Sequence, residues 1–248
     1  MRSWLLWVLG YPEAALRDAD NALKNARETG QAASLMCAMH FTAVPLLLCG
    51  DYSRATALAQ ELCALADEKD LPFWKVNGSL YQGSLFALTG DASNAVRLLA
   101  SGITAVRPTG VTVWMPRWLS YLAIAHANLG QIDDAWRCIG EAISTIETTK
   151  ERWFEAETNR IAGEIALRSP EPDVAKAQTY FDRALGVARR QQAKSWELRT
   201  AMSMARLWRD QGMPQEAREF LAPVCGWFTE GFGTLDLKEA NALLAEFA

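Results

Sequence analysis

The chain has 248 residues, 50% of them hydrophobic and 22% charged, a composition that excludes disordered, collagenous and disulfide-stapled miniature proteins. With 25 Lys+Arg against 29 Asp+Glu the formal charge is −4, so no general cationic field draws it to nucleic acid or to an anionic membrane surface. Five cysteines, Cys37, Cys49, Cys63, Cys138 and Cys225, form no C-x-x-C pair; an odd, scattered set reads as the thiols of a reducing cytoplasm.

At the N-terminus, the apolar run Trp4 to Leu9 is followed by Tyr11-Pro12-Glu13 rather than by a cleavage site. It reads as the second half of a helix, too short for a signal peptide. The next apolar stretch, Leu35 to Cys49, is interrupted by His40, Thr42 and Pro45 and falls short of the roughly 20 residues a membrane helix needs. A glycine-led turn then recurs: Gly10-Tyr-Pro-Glu-Ala-Ala15, Gly50-Asp-Tyr-Ser-Arg-Ala55, Gly90-Asp-Ala-Ser-Asn-Ala95 and Gly130-Gln-Ile-Asp-Asp-Ala135, each 40 residues after the last. After a glycine-free turn led by Ser169, the series closes with Gly212-Met-Pro-Gln-Glu-Ala217. A fixed period of this length is the mark of a helical repeat array.

The period predicts helix pairs at about 1–9/13–28, 31–49/53–69, 73–89/93–107, 112–129/133–149, 152–168/173–191 and 194–211/214–227, with a closing helix near 236–247. In each pair glycine ends the first helix in a left-handed conformation. Asp51, Asp91, Ser93 or Asp133 helps to start the second, and Pro12 and Pro214 fit its first turn. Counting Ser169 as the fifth turn, Trp74, Trp114, Trp153 and Trp196 stand sixteen residues before the turn. Ser3, Ala43, Gly83, Ala123, Ala162 and Ala205 stand seven before it. The tryptophans are expected in the core between repeats, and the small residues where two helices approach closely. No alternating strand pattern of useful length is present, and Val111-Thr-Val-Trp114 reads as the start of a helix. The expected fold is an all-α superhelical solenoid of about six helix-turn-helix repeats. Its limits are 1–29 for an incomplete first repeat, then 30–70, 71–111, 112–150, 151–192 and 193–227, with a closing segment 228–248 in one domain.

The pattern Leu122-Ala123 to Leu129-Gly130, Ala135 and Ala142, repeated at Ala55, Leu58 and Leu62, resembles the tetratricopeptide (TPR) repeat, lengthened beyond the usual period of about 34. The C-terminal run Trp227-Phe-Thr-Glu-Gly-Phe232, followed by Asp236, Leu237 and Ala240, resembles the end of bacterial signalling proteins. Those proteins join a class III adenylate/guanylate cyclase domain or an AAA-type predicted ATPase to a terminal repeat array. The resemblance implies a cytoplasmic protein-docking array, whose partner is another protein or an ATPase or cyclase domain of the same chain.

Catalytic motifs are not found in the sequence. No G-x-x-x-x-G-K-[ST] cradles phosphate, no H-E-x-x-H holds zinc, and His40 and His126 lie 86 residues apart, so no enzyme activity, cofactor or metal is expected. His126 reads as a packed histidine, and Cys49 and Cys138 as packed thiols. Trp227, Phe228 and Phe232 are expected to close the last hydrophobic face with Leu237, Leu243 and Leu244. By the TPR resemblance, residues thirteen, ten, six and three before each turn face the concave groove, which makes His40, Asn77, Arg117, Asn159, Arg199, Arg206 and Arg209 the candidate binding residues. Cys37, Ser84 and Ser120 lie in the same columns. Arg199, Arg206 and Arg209 would suit an acidic peptide, and a peptide or small metabolite sensed in the groove is the alternative occupant. Trp4, Leu5 and Leu9 are expected to be exposed at the incomplete repeat, as an edge for self-association.

Overall fold

The computed structural model describes residues 2–247. Among these residues thirteen α-helices and one 3-10 turn are present and no strand. The helices are α1 Arg2–Val8, α2 Pro12–Thr29, α3 Ala32–Leu48, α4 Tyr52–Glu68, α5 Pro72–Thr89, α6 Ala92–Val106, α7 Met115–Asn128, α8 Ile132–Thr149, α9 Glu155–Arg168, α10 Val174–Arg190, α11 Lys194–Asp210, α12 Pro214–Cys225 and α13 Leu235–Glu246.

The turns form where the glycines dictate. Gly10, Gly50, Gly90, Gly130 and Gly212 have φ of 94, 78, 99, 73 and 80°, a region in which a Cβ would be strained. Asp51, Asp91 and Asp173 then cap the next helix, accepting from the backbone N–H of Arg54, Asn94 and Lys176. Helices α7 and α9 begin at Met115 and Glu155, a few residues later than the periodicity predicts. Tight turns precede them, in which Met115 N donates to Thr112 O and Glu155 N to Arg152 O. Pro116, which lacks an N–H, fits the first turn of α7.

The helix ends correct the register of the fifth repeat. Trp114 immediately precedes α7 and Phe154 immediately precedes α9, and the two helices stop at Asn128 and Arg168, so α9 repeats α7 forty residues on and its counterpart of Gly130 is residue 170. Its turn position is therefore Pro170 rather than Ser169. Phe154, not Trp153, then stands in the tryptophan column, and Gly163, not Ala162, in the small-residue column. Packing agrees: a Cβ on Gly163 would lie 2.4 Å from the Phe181 ring of α10, as one on Gly83 would lie 2.9 Å from Leu99 of α6. Trp153 sits one residue earlier, and its indole N–H donates to the carbonyl of Val113 at 2.9 Å.

Odd-numbered helices form an inner layer and even-numbered ones an outer layer. Each odd helix packs on the next, from α1 to α11, and α11 meets α1 again. The array makes one circuit and closes. At this seam the Trp7 and Trp196 rings meet edge to face at 4.6 Å, and the Ser195 hydroxyl donates to the Trp7 carbonyl. The Trp227–Phe232 turn completes the seam. Gly231 N donates to Glu13 Oε1 and Ala14 N to Glu230 Oε1, each at 2.9 Å, while Leu235 N donates to Cys49 O at 3.2 Å. A Cβ on Gly231 would collide with Pro12 at 2.1 Å, so the turn can come this close only with glycine there.

Candidate binding groove

At the N-terminal ends of the inner helices, the side chains expected in a groove are packed inside the ring. His40 is buried against the Trp74, Tyr81 and Trp114 rings, with centroids 5.4 to 6.0 Å away. Tyr81 Oη donates to the His40 carbonyl at 2.8 Å. Burial and then the nearby Arg117 charge push the His40 pKa down to about 3, so the ring stays neutral. Asn77 is buried and donates to the Phe73 carbonyl within its own helix. Arg117 is 0% exposed and lies over Tyr81 and Trp114. Trp4, expected at an exposed edge, packs between Trp114 and Trp153 at 5.9 and 4.9 Å; Leu5 and Leu9 are exposed as expected.

The basic residues of α11 hold an acidic helix, and it belongs to the chain itself. Arg199 Nε donates to both oxygens of Asp236, at 3.0 and 2.9 Å, and Arg206 and Arg209 pair with Glu239 and Glu246. All three carboxylates lie on α13. Arg199 also reaches Glu157 Oε1 at 3.3 Å and the Leu48 carbonyl at 2.7 Å. Burial raises the Glu157 pKa, but Arg160 and Arg199 outweigh it and hold the carboxyl below its ordinary range.

Toward the turn ends of the inner helices a cleft of about 300 Å³ remains open, bounded by α5, α7, α9 and α11. Leu88, Ile124, Ile161 and Ile165 supply apolar walls, and Arg160, Arg168, Arg206 and Glu164 the charge. Arg206 is the one predicted binding residue that lines it. A register counted from Ser169 passes over Arg160 and Glu164; from Pro170 they fall ten and six residues before the turn, in the expected columns. Arg160 bridges Glu157 and Glu164, whereas Arg168 is exposed and donates to Asn128 Oδ1 at 2.6 Å. Asn159, the residue predicted in place of Arg160, instead lines a separate cleft of about 250 Å³ between α8, α9 and α10.

Two smaller expectations change. His126 is half-exposed, with Nδ1 2.7 Å from Gln131 Oε1, because its position near the helix end faces the turn. Of the C-terminal aromatics, Phe228 is buried, while Trp227 and Phe232 are 38% and 55% exposed; the Trp227 ring lies across the seam, 5.9 Å from the Tyr11 ring and under the Lys194 ammonium, instead of closing the last hydrophobic face. Cys49 and Cys138 are buried as expected, and burial raises both thiol pKa values, that of Cys138 to about 11. No described helix is long and apolar enough to cross a membrane.

Two layers of stacked helical hairpins define a TPR-like solenoid, and solved structures share it. The apo form of RapI is similar over 98% of this chain and 82% of its own, at 13% identity and a TM-score of 0.66. Aspartyl phosphate phosphatase F from Bacillus subtilis matches 95% of this chain and 59% of its own, at 15% identity and a TM-score of 0.62. BtubC (BKLC) from P. vanneervenii matches 86% and 89%, at 17% identity and a TM-score of 0.57. At these identities the likeness is one of fold. No protein-family model and no curated protein sequence matches the chain.

Proposed function

We propose that this protein is a docking module, acting by binding rather than catalysis, and that the cleft between α5, α7, α9 and α11 takes a segment of a partner protein. One observation carries the reading: four successive inner helices converge on an apolar-walled cleft rimmed by Arg160, Arg168 and Arg206. Such a site suits an apolar side chain flanked by a carboxylate, with Arg168 placed to pair with it. The likeness of the Trp227–Phe232 turn to cyclase- and ATPase-linked arrays extends the reading to a nucleotide-signalling domain as the partner, in the cytoplasm.

A displayed random-peptide library selected on the wild-type chain tests this. Selected peptides should combine an apolar residue with Asp or Glu and should bind Arg168→Glu at least tenfold more weakly, since a charge-assisted hydrogen bond contributes about 1.5–3 kcal/mol. Arg168 is exposed, so the substitution leaves the fold intact. Equal binding to both proteins would reject the cleft as the docking site.

A further inference from the structure

The interior of the ring holds a guanidinium with no carboxylate partner among the described residues. Arg117 is 0% exposed, and its Nε, Nη1 and Nη2 make no hydrogen bond of good geometry; the Tyr81 hydroxyl, which already donates to the His40 carbonyl, is a neutral acceptor facing it, and no carboxylate pairs with it among the described residues. The other buried side-chain nitrogens and oxygens without a partner among the described residues are Trp4 Nε1, Trp118 Nε1 and Tyr121 Oη. All lie on α1 and α7, and every one of them can donate. Trp114 links them, 5.9 Å from Trp4 and 5.1 Å from Arg117 Cζ, and Trp118 is 5.9 Å from the same Cζ. Aromatic faces offset part of a cation's lost hydration, but they accept none of its in-plane N–H groups. A buried guanidinium without a charged acceptor is among the most costly arrangements in a protein interior.

The array contains its own control. Arg199 follows Trp196 by three residues, as Arg117 follows Trp114, and it too lies over two indoles, those of Trp7 and Trp196, at 4.9 and 5.3 Å. In that equivalent setting Arg199 receives the carboxylates of Asp236 and Glu157. Glu157, the corresponding residue of the intervening repeat, is committed to Arg160 and Arg199. Arg117 has the equivalent indole wall, Trp114, with Tyr81 and Trp118 beside it, and lacks the carboxylate.

We propose that the Arg117 cage is a receptor for a carboxylate group, which the guanidinium grips by its fork while Trp4, Trp118 and Tyr121 donate to the remaining lone pairs. Full enclosure of Arg117 restricts the guest to a small carboxylate or to the carboxylate end of a narrow chain. This site is separate from the docking cleft, and its success or failure leaves that reading untouched.

The test is titration of the wild-type protein with sodium formate and sodium acetate against sodium chloride at fixed pH and ionic strength, read by tryptophan emission and melting temperature. A saturable response to the carboxylates, at least tenfold weaker in Arg117→Lys and lost in Arg117→Met, is expected, because lysine keeps the charge and loses the fork. A tetrapeptide with a free C-terminus binding more tightly than acetate would make the guest a chain end; response to formate and acetate alone would make it a free metabolite. Chloride matching formate, no response at all, or an equal response in Arg117→Met would overturn the proposal. Should Arg117→Met fail to fold, formate against chloride on the wild type and on Arg117→Lys decides it.

Discussion

Single residues inside this ring are constrained by what their neighbours leave them. His40 has Tyr81, Trp74 and Trp114 around its ring and Arg117 within Coulombic reach, so protonation is opposed by burial first and by like charge second. Its folded pKa of about 3 lies below the unfolded value of about 6.5. A depressed histidine contributes stability that is complete above the unfolded value and is lost as pH falls toward the folded one. Chemical denaturation between pH 6.5 and 4 should therefore show a stability slope steeper in the wild type than in His40→Leu by about 1.4 kcal/mol per pH unit. Equal slopes would mean that the imidazole charges without resistance.

Helices and their contacts obey the same logic one scale up. Each hairpin needs a place where the two backbones approach, and the small-residue column provides it. Gly163 faces the fully buried Phe181 ring, whereas Gly140, exposed on α8, has nothing within 4 Å of an added Cβ. Gly163→Ala should thus destabilise by about 2 kcal/mol through overpacking, and Gly140→Ala should stabilise by up to about 1 kcal/mol through helix propensity. Urea midpoints of the two variants check this directly; the same sign for both would contradict the assignment of the close-approach column.

For the whole molecule, closure changes how stability is shared. An open solenoid couples each repeat only to its neighbours, but here Trp7 of α1 packs on Trp196 of α11, the C-terminal turn bonds to Glu13 and Ala14, and the start of α13 bonds to Cys49. Trp7 is 1% exposed, and Trp7→Ala should cost about 3–5 kcal/mol. Its distinctive signature is spatial: hydrogen exchange should quicken together in α1, α2, the 226–234 turn and α13, the two ends of the sequence, while α5 to α8 keep their protection. Quickening confined to α1 to α4 would describe an open array.

The helices, their glycine turns, their pairing and the TPR-like class were legible in the sequence, because each rests on local chemistry repeated every 40 residues: a left-handed glycine, a capping aspartate, a small residue at the contact. The columns that face inward were legible as well, up to a one-residue slip where Pro170 replaces glycine, and that slip hid Arg160 and Glu164. Only the tertiary structure decided that the array closes, that Trp4 fills the interior, that α13 answers Arg199, Arg206 and Arg209, and that Arg117 goes without a carboxylate. Closure depends on small rotations accumulated over six hairpins and on contacts between residues about 190 or more positions apart, such as Trp7 with Trp196 and Glu13 with Gly231; the α11–α13 pairs and the seat of Trp4 depend on how the last helix and the first half-repeat fold back on the array, and no period in the sequence encodes either.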